Sequence, residues 1–162
     1  MKFYEPHQYQ PRVTLLYAEL KRDLDQSLKE ARVEHIGSSA VMGAISKGDL
    51  DVFVGVSAEN FEMSLATLKG LGFVEKEGTL RTESLCMLVT DKYKHDVAIQ
   101  LTVNGSEFEE FIRFRDILNN MPNLVSEYNI LKRGSEGMEP DDYRSKKSQF
   151  IERVLKSVAN FG

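Results

Sequence analysis

Two aspartates at the start of an apolar segment are the residues whose spacing points most directly to chemistry. Asp49 and Asp51 alternate with Leu50 and Val52. Because strand side chains alternate between faces, both carboxylates lie on one face, about 6.6 Å apart along the strand. Two carboxylates so placed repel each other, and a bound divalent cation reverses that repulsion. Magnesium suits the pair, because it takes oxygen ligands and commonly bridges one or two carboxylates to substrate phosphates.

A Gly-Ser-Ser turn precedes this pair, with ten residues between Ser38 and Asp49. Gly37, Ser38 and Ser39 lead into a short predicted helix, and such a turn offers backbone N–H groups, a hydroxyl and the positive end of a helix dipole to a phosphate. Each feature has an ordinary alternative, a solvated strand end for the aspartates and a capped turn for the serines. Their combination favours a metal–phosphate site.

Two other motifs are excluded by single positions. The segment from Gly43 to Asp49 has the glycine spacing of a Walker A loop, but Asp49 stands where that motif needs lysine. The segment from Gly37 to Val41 resembles a nucleophile elbow, but Val41 replaces its second glycine. The sequence therefore predicts neither a P-loop nor a serine hydrolase.

Cationic side chains interrupt apolar helical stripes in the last third of the chain. Arg115 falls within the stripe that contains Phe111 and Ile112, and Lys147 lies on the inner face of the last predicted helix. Such side chains either extend toward solvent, pair with a structural carboxylate or bind an anion. Beside an acidic metal pair they predict a triphosphate clamp, with Lys132 as its third member.

Two further residues are weaker candidates. His35 ends a predicted strand next to Gly37 and either faces the site or is a hydrogen-bonded structural residue. Asp96 opens another predicted strand, where it either completes a two-metal site as the third acid or is solvated.

The elements that must position these residues are predicted from periodicity and turn residues. Apolar residues at three- and four-residue steps predict a first helix from about Tyr9 to Glu30. Predicted strands cover 32–36, 50–56, 73–76, 85–90 and 96–103, and predicted helices cover 40–45, 57–70, 107–119, 123–132 and 141–159. We therefore predict one α+β domain over 1–162, sheet-rich in 1–105 and helical in 106–162.

Composition limits the classes of function. At 162 residues and 41% apolar content, the chain has the size of one ordinary domain with its own core. A net charge of -4 argues against general nucleic-acid binding. The single cysteine, Cys86, excludes an intrachain disulfide, and no apolar stretch reaches the length of a membrane span. We expect a cytoplasmic protein without a membrane partner.

The chain resembles the GrpB family of the nucleotidyltransferase superfamily, whose signature is Gly-Ser, about ten residues, then Asp-hydrophobic-Asp. The run from His35 to Gly43, with Lys47 and Asp51 behind it, is similar to the family's glycine-serine segment. The runs around Arg115, Lys132 and Lys147 are similar to its helical tail. Met42 departs from a frequent proline, Asp49 from a frequent aliphatic residue, and Ala98 and Gln100 from frequent histidines.

The resemblance implies a nucleotidyltransferase-like fold, a small mixed sheet packed with helices, and transfer of a nucleoside monophosphate from a nucleoside triphosphate with magnesium. It implies no particular acceptor. Asp49 and Asp51 would hold metal and, with Asp96, form the catalytic set. The expected nucleotide- and phosphate-binding residues are His35, Gly37, Ser38, Ser39, Lys47, Arg115, Lys132, Tyr143 and Lys147. The alternatives are a non-catalytic nucleotide-binding or protein-interaction member, and a plain interaction module with solvated carboxylates.

Overall fold

The fold is built around a five-stranded mixed sheet in the order β1-β2-β5-β4-β3. The structure is a computed structural model that describes Met1–Ala159. Its strands are β1 (Arg32–Ile36), β2 (Leu50–Val56), β3 (Val74–Glu75), β4 (Leu85–Thr90) and β5 (Val97–Val103). Only β2 and β5 run parallel, and the other neighbouring pairs are antiparallel. The mixed α+β architecture confirms the predicted fold class.

Helices cover one face of the sheet and form the C-terminal third. They are α1 (Pro6–Ser27), α2 (Phe61–Gly70), α3 (Glu110–Asn120), α4 (Pro122–Gly134) and α5 (Pro140–Ala159). The α1 stripe of Val13, Leu20 and Leu24 packs with α2 against the apolar face of β2 and β5. A second core joins α3, α4 and α5 around Tyr128 and Phe150. Within residues 1–159 no helix is long and apolar enough to cross a membrane.

The segment from Ala40 to Ile45 is the element that the sequence predicted wrongly. A single 3-10 turn covers Ser38–Ala40, and an irregular loop follows to Asp49. Gly43 has a φ of 82°, outside the helical region. In place of helical hydrogen bonds, the loop backbone bonds to side chains of α3 and α4. Asn119 accepts from the Met42 N–H, and Asn129 accepts from the Ile45 N–H and donates to the Gly43 carbonyl.

Candidate functional site

The face of the sheet that carries Asp51 is only partly covered. Val52 belongs to the core under α1 and α2, so the alternation along β2 puts Asp51 on the opposite face. On that face Asp51 pairs with Ala98 of β5, Ala98 with Val89 of β4, and Val89 with Val74 of β3. This row contributes to the floor of a cleft of about 680 Å³. Its charged lining residues are Lys47, Asp49, Asp51, Lys76, Asp91 and Asp96.

Asp49 and Asp51 both line the cleft, and their like charges repel each other. Burial, with a smaller contribution from the charge of Asp49, raises the pKa of Asp51 to about 7, whereas Lys147, Lys47 and Lys76 oppose the shift. A carboxylate with this environment is stabilised by an added positive charge. Two carboxylates of this kind fit Mg²⁺, whose sites in proteins commonly combine one or two carboxylates with substrate phosphates and water.

Gly37 brings the phosphate-loop candidate, which we define as Gly37–Ala40, into contact with this pair. Its φ of 77° lies in the left-handed region, which glycine adopts without strain. A Cβ atom built on Gly37 would lie 2.5 Å from Asp51 Oδ2, so a side chain at this position would displace the carboxylate. The glycine therefore permits the backbone and the carboxylate to meet, which the spacing alone could not establish.

Two of the predicted phosphate-binding lysines lie near the carboxylates without a close ionic partner. Lys147 of α5 is half-buried, and its pKa is held above the ordinary value chiefly by Tyr128, against the cost of burial, with further contributions from Tyr143, Asp51 and Asp49. Lys47 is exposed at the cleft. Neither lysine belongs to an ion pair within 4.0 Å in residues 1–159.

Lys76 is a cleft residue that the sequence analysis missed. Its backbone N–H donates to the Met87 carbonyl, which extends the pairing of β3 with β4 by one residue. Lys76 thus shares the face of Val74, two residues earlier, and its charge lowers the pKa of Asp51. The predicted strand 73–76 contains Lys76, but no face was assigned to that strand, so the strand period of two was not applied to this lysine.

Arg115 differs from its predicted role, because it is committed to carboxylates. Its guanidinium donates to Glu34 Oε1 at 3.0 Å, to Asp116 Oδ1 at 3.0 Å and to the His35 carbonyl at 2.9 Å. Burial lowers its pKa, but the hydrogen bonds to Asp116 and Glu34 outweigh burial and leave the pKa raised. Arg115 therefore fastens α3 to β1 and does not present a free cation to a phosphate.

Lys132 is close to the phosphate-loop candidate but does not line the cleft. Its side chain is buried, with a residue exposure of 1%. Its Nζ donates to Ser38 Oγ at 2.5 Å and to the Ile45 carbonyl at 2.6 Å. Burial lowers the pKa of Lys132 well below its ordinary value, and the charge of Lys147 adds to this effect. This placement corrects the expectation of a direct clamp residue.

His35 and Ser39 lie on the wrong side for direct phosphate contact. His35 pairs with Val52, so its side chain lies on the α1 face, where it stacks on Tyr17 with ring centroids 5.1 Å apart. His35 Nε2 and Ser39 Oγ are hydrogen-bonded at 2.8 Å, and burial lowers the pKa of His35 to about 4. The His35–Ser39 hydrogen bond therefore supports the Gly37–Ala40 turn from the α1 face of the sheet.

Tyr143 is a buried packing residue beside the cationic cluster. Its ring packs edge-on against Phe3, with centroids 5.6 Å apart. Burial raises the pKa of Tyr143, and a hydrogen bond with Tyr128 contributes to that rise. The tyrosine thus orders the surroundings of Lys147 and has no exposed face of its own.

Asp96 lies at the rim of the same cleft but is exposed. In the part of the chain that the structure describes, no three His, Cys, Asp or Glu residues are grouped closely enough to hold a metal ion. Asp51 instead has Ala98 as its neighbour on β5. The described acidic set near the phosphate-loop candidate is therefore a pair, with Asp96 at a distance that leaves it outside a three-ligand group.

The fold is nucleotidyltransferase-like. The Cid1 poly(U) polymerase with MgGTP bound is similar to this chain with a TM-score of 0.58 and 14% identity, covering 80% of this chain and 43% of that one. The crystal structure of conserved protein GrpB from Enterococcus faecalis is similar with a TM-score of 0.76 and 23% identity, covering 97% and 99%. At these identities the likeness shows the fold alone.

The chain belongs to the GrpB family, whose pattern, described as GrpB protein, matches residues 5–157. A UPF0157 protein of Vibrio cholerae is 47% identical over 155 residues, which are 96% of this chain and 82% of that protein. The glutamate-rich protein GrpB of Alkalihalophilus pseudofirmus is 29% identical over 141 residues, 78% of each chain. The resemblance read from the motifs is thereby confirmed.

Proposed function

We propose that this protein is a magnesium-dependent nucleotidyltransferase, which moves a nucleoside monophosphate from a nucleoside triphosphate to an acceptor still to be identified. The close approach of Gly37 to the Asp51 carboxylate carries the proposal. It places the proposed phosphate-binding turn beside a pair of carboxylates whose charged state a bound cation would stabilise. The fold relatives support it: the Cid1 polymerase is described with MgGTP and with MgATP bound.

In the proposed site each group has one role. Asp49 and Asp51 hold Mg²⁺, which when bound supplies positive charge to the phosphates. The Gly37 backbone and the Ser38 hydroxyl contact the β- and γ-phosphates. Lys47 and Lys147 neutralise phosphate charge, which is the function that their lack of close ionic partners favours.

The proposed reaction depends on positioning and electrostatics more than on covalent chemistry. The acceptor hydroxyl oxygen bonds to the α-phosphorus, the bond from that phosphorus to the bridging oxygen breaks, and pyrophosphate leaves. The hydroxyl proton passes through water to the Asp96 carboxylate at the rim of the cleft, which we retain as the third member of the proposed catalytic set. Because attack and departure are roughly in line, the acceptor enters on the side away from Ser38 and Lys147.

A non-catalytic nucleotide-binding member is the second candidate. The observation that favours it is the residue beside Asp51 on β5, which is Ala98, followed on the same face by Gln100. A site with two carboxylates binds magnesium and triphosphate, yet lacks the third acid of a two-metal arrangement. Nucleotide binding without turnover distinguishes this candidate from the enzyme.

The experiment that tests transfer uses nucleoside triphosphates labelled at the α-phosphate or at the γ-phosphate, with magnesium and extract from a cell that encodes the protein. We expect α-label, and no γ-label, in an acceptor, and loss of transfer in Asp51→Asn. Binding of a nucleoside triphosphate without any transferred α-label would support the non-catalytic candidate. We also propose a cytoplasmic location, where triphosphates and magnesium are available and the free thiol of Cys86 stays reduced.

A further inference from the structure

Lys132 donates hydrogen bonds to two segments of the chain that must be correctly placed in the proposed site. One is the phosphate-loop candidate, through Ser38 Oγ, and the other is the Ala40–Asp49 connection, through the Ile45 carbonyl. Asn129, on the same face of α4, accepts from the Ile45 N–H at 2.9 Å. Helix α4 thus holds both polar groups of the Ile45 backbone, four residues before Asp49.

The surroundings of Lys132 leave no room for a direct phosphate contact. Its Nζ lies 4.0 Å from the centroid of the Tyr128 ring and 5.8 Å from that of Phe3. The residue is 1% exposed, and two of its donors are already used. A phosphate on the open side of Ser38 would meet the hydroxyl first.

In the part of the chain that the structure describes, Lys132 is held by hydrogen bonds and not by an ion pair. Within residues 1–159 no carboxylate oxygen lies within 4.0 Å of its Nζ, in contrast to Arg115. A buried cation without a counter-charge is unfavourable, and an apolar side chain of similar shape would fill the same space at lower cost. The hydrogen bonds of the amine are what an apolar residue could not supply.

We propose that Lys132 is the positioning residue of the phosphate site: it aims the Ser38 hydroxyl at the bound phosphate and fixes the loop that carries Asp49, without touching the phosphate itself. This inference rests on the proposed function, since it assigns how Ser38 meets a triphosphate. It replaces the direct clamp role that the sequence suggested for Lys132.

A double-mutant cycle on phosphate binding tests the proposal. The variants are Lys132→Met, Ser38→Ala and the double variant, with inorganic tripolyphosphate and magnesium as the probe and calorimetry as the measurement. Loss of a hydroxyl bond to a charged group predicts about a 10-fold or larger loss of affinity for Ser38→Ala. We expect a similar loss for Lys132→Met alone and a clearly smaller further loss in the Ser38→Ala background, where only the contact of the amine with the Ile45 carbonyl remains to be removed.

The exposed Lys156 on α5 provides the matched control, because Lys156→Met removes the same charge away from Ser38. Equal losses for Lys132→Met in both backgrounds would mean that the amine acts on phosphate independently of Ser38, and would overturn the proposal. Unchanged affinity in Lys132→Met would overturn it as well. Absence of tripolyphosphate binding by the wild type would instead contradict the proposed function.

A readout without any ligand keeps the inference separate from the function. Backbone amide exchange across 38–49 should accelerate in Lys132→Met and stay at the wild-type rate in Lys156→Met, with exchange in β2 and β5 unchanged. Wild-type exchange across 38–49 in Lys132→Met would overturn the positioning role. If Lys132→Met does not fold, Ser38→Ala carries the same measurement, because it removes one of the two acceptors of the amine.

Discussion

The Asp51 carboxylate has the most informative environment of any single residue in the site. Burial and the neighbouring Asp49 raise its pKa to about 7 from the ordinary 3.8. The carboxylate is therefore largely uncharged at mildly acidic pH and becomes charged near neutrality. Its charged state is the one that lacks stabilisation in the free protein.

The pH dependence of stability should reveal this carboxylate. The folded protein binds the Asp51 proton more tightly than the unfolded chain, so the wild type loses stability as the pH rises from about 4 to 7. Asp51→Asn lacks that loss, and its stability relative to the wild type should increase by about 1 kcal/mol per pH unit between pH 5 and 7, then level off. Urea unfolding of both proteins at four pH values measures the difference. Parallel curves for the two proteins would contradict the account.

Lys147 should affect binding more than folding. Lys147→Met keeps much of the apolar stem, and the charge that it removes has no close ionic partner within residues 1–159, so the stability of the free protein should change little. Affinity for magnesium and nucleoside triphosphate should fall by about 1.5 to 3 kcal/mol, the scale of a hydrogen bond to a charged group. The opposite pattern, a stability loss of about 3 to 5 kcal/mol with unchanged affinity, is that of a structural ion pair.

At the level of elements, the same feature of the sequence had two different structural outcomes. Arg115 and Lys147 each interrupt an apolar stripe, yet of the two only Arg115 has carboxylate partners within residues 1–159. Its partner Glu34 is 81 residues away in the chain, so helical periodicity could not identify it. The pairing depends on α3 packing beside β1, which is a property of the tertiary fold.

Arg115→Met should therefore destabilise the protein and leave nucleotide affinity within about 2-fold of the wild type. The side chain is 16% exposed, and loss of its bonds to Glu34 and Asp116 should cost about 2 kcal/mol, below the range for a fully buried pair. Glu34→Gln should remove part of the same energy, so the double variant should lose less than the sum. Additive losses would contradict a shared ion pair.

The phosphate-loop candidate can be tested with two glycines of similar φ. Gly37 and Gly78 have φ values of 77° and 74°, but a Cβ on Gly78 would meet nothing within 4 Å. Both alanine variants incur the strain of a positive φ, about 1 to 3 kcal/mol. Gly37→Ala should lose more stability than Gly78→Ala and should weaken triphosphate binding, because it displaces the Asp51 carboxylate. Equal effects in thermal unfolding would mean that the contact with Asp51 is unimportant.

Across the whole molecule, the sequence predicted the elements better than the contacts between them. Strands β1, β2 and β4 agree with the predicted bounds, because short apolar segments between turn residues are a local signal. The Ala40–Ile45 segment is a loop where the sequence predicted a helix. Its backbone is held by hydrogen bonds to Asn119 and Asn129, which lie nearly eighty residues or more away in the chain, so local sequence could not indicate them. The buried positions of Lys132 and His35 could not be predicted for the same reason, since burial beneath a loop or behind a strand is not a local property.

The assembled site takes its parts from distant regions of the chain. The turn at Gly37, the pair at Asp49 and Asp51, and Lys147 of α5 are brought together by the sheet and the C-terminal helices. Each of these parts alone is a common surface feature. Together they should act as one site, in which a cation and a triphosphate bind and the affinity for each depends on the other.

Calorimetric titration of a nucleoside triphosphate into the wild type and Asp51→Asn, with and without magnesium at pH 8, tests that dependence most directly. We expect binding by the wild type to depend on magnesium and to weaken about 10-fold or more in Asp51→Asn, although the metal-free stability of that variant stays level or rises. Equal affinity in the two proteins with magnesium present, or wild-type affinity unchanged by removal of magnesium, would contradict a metal–phosphate site at Asp49 and Asp51.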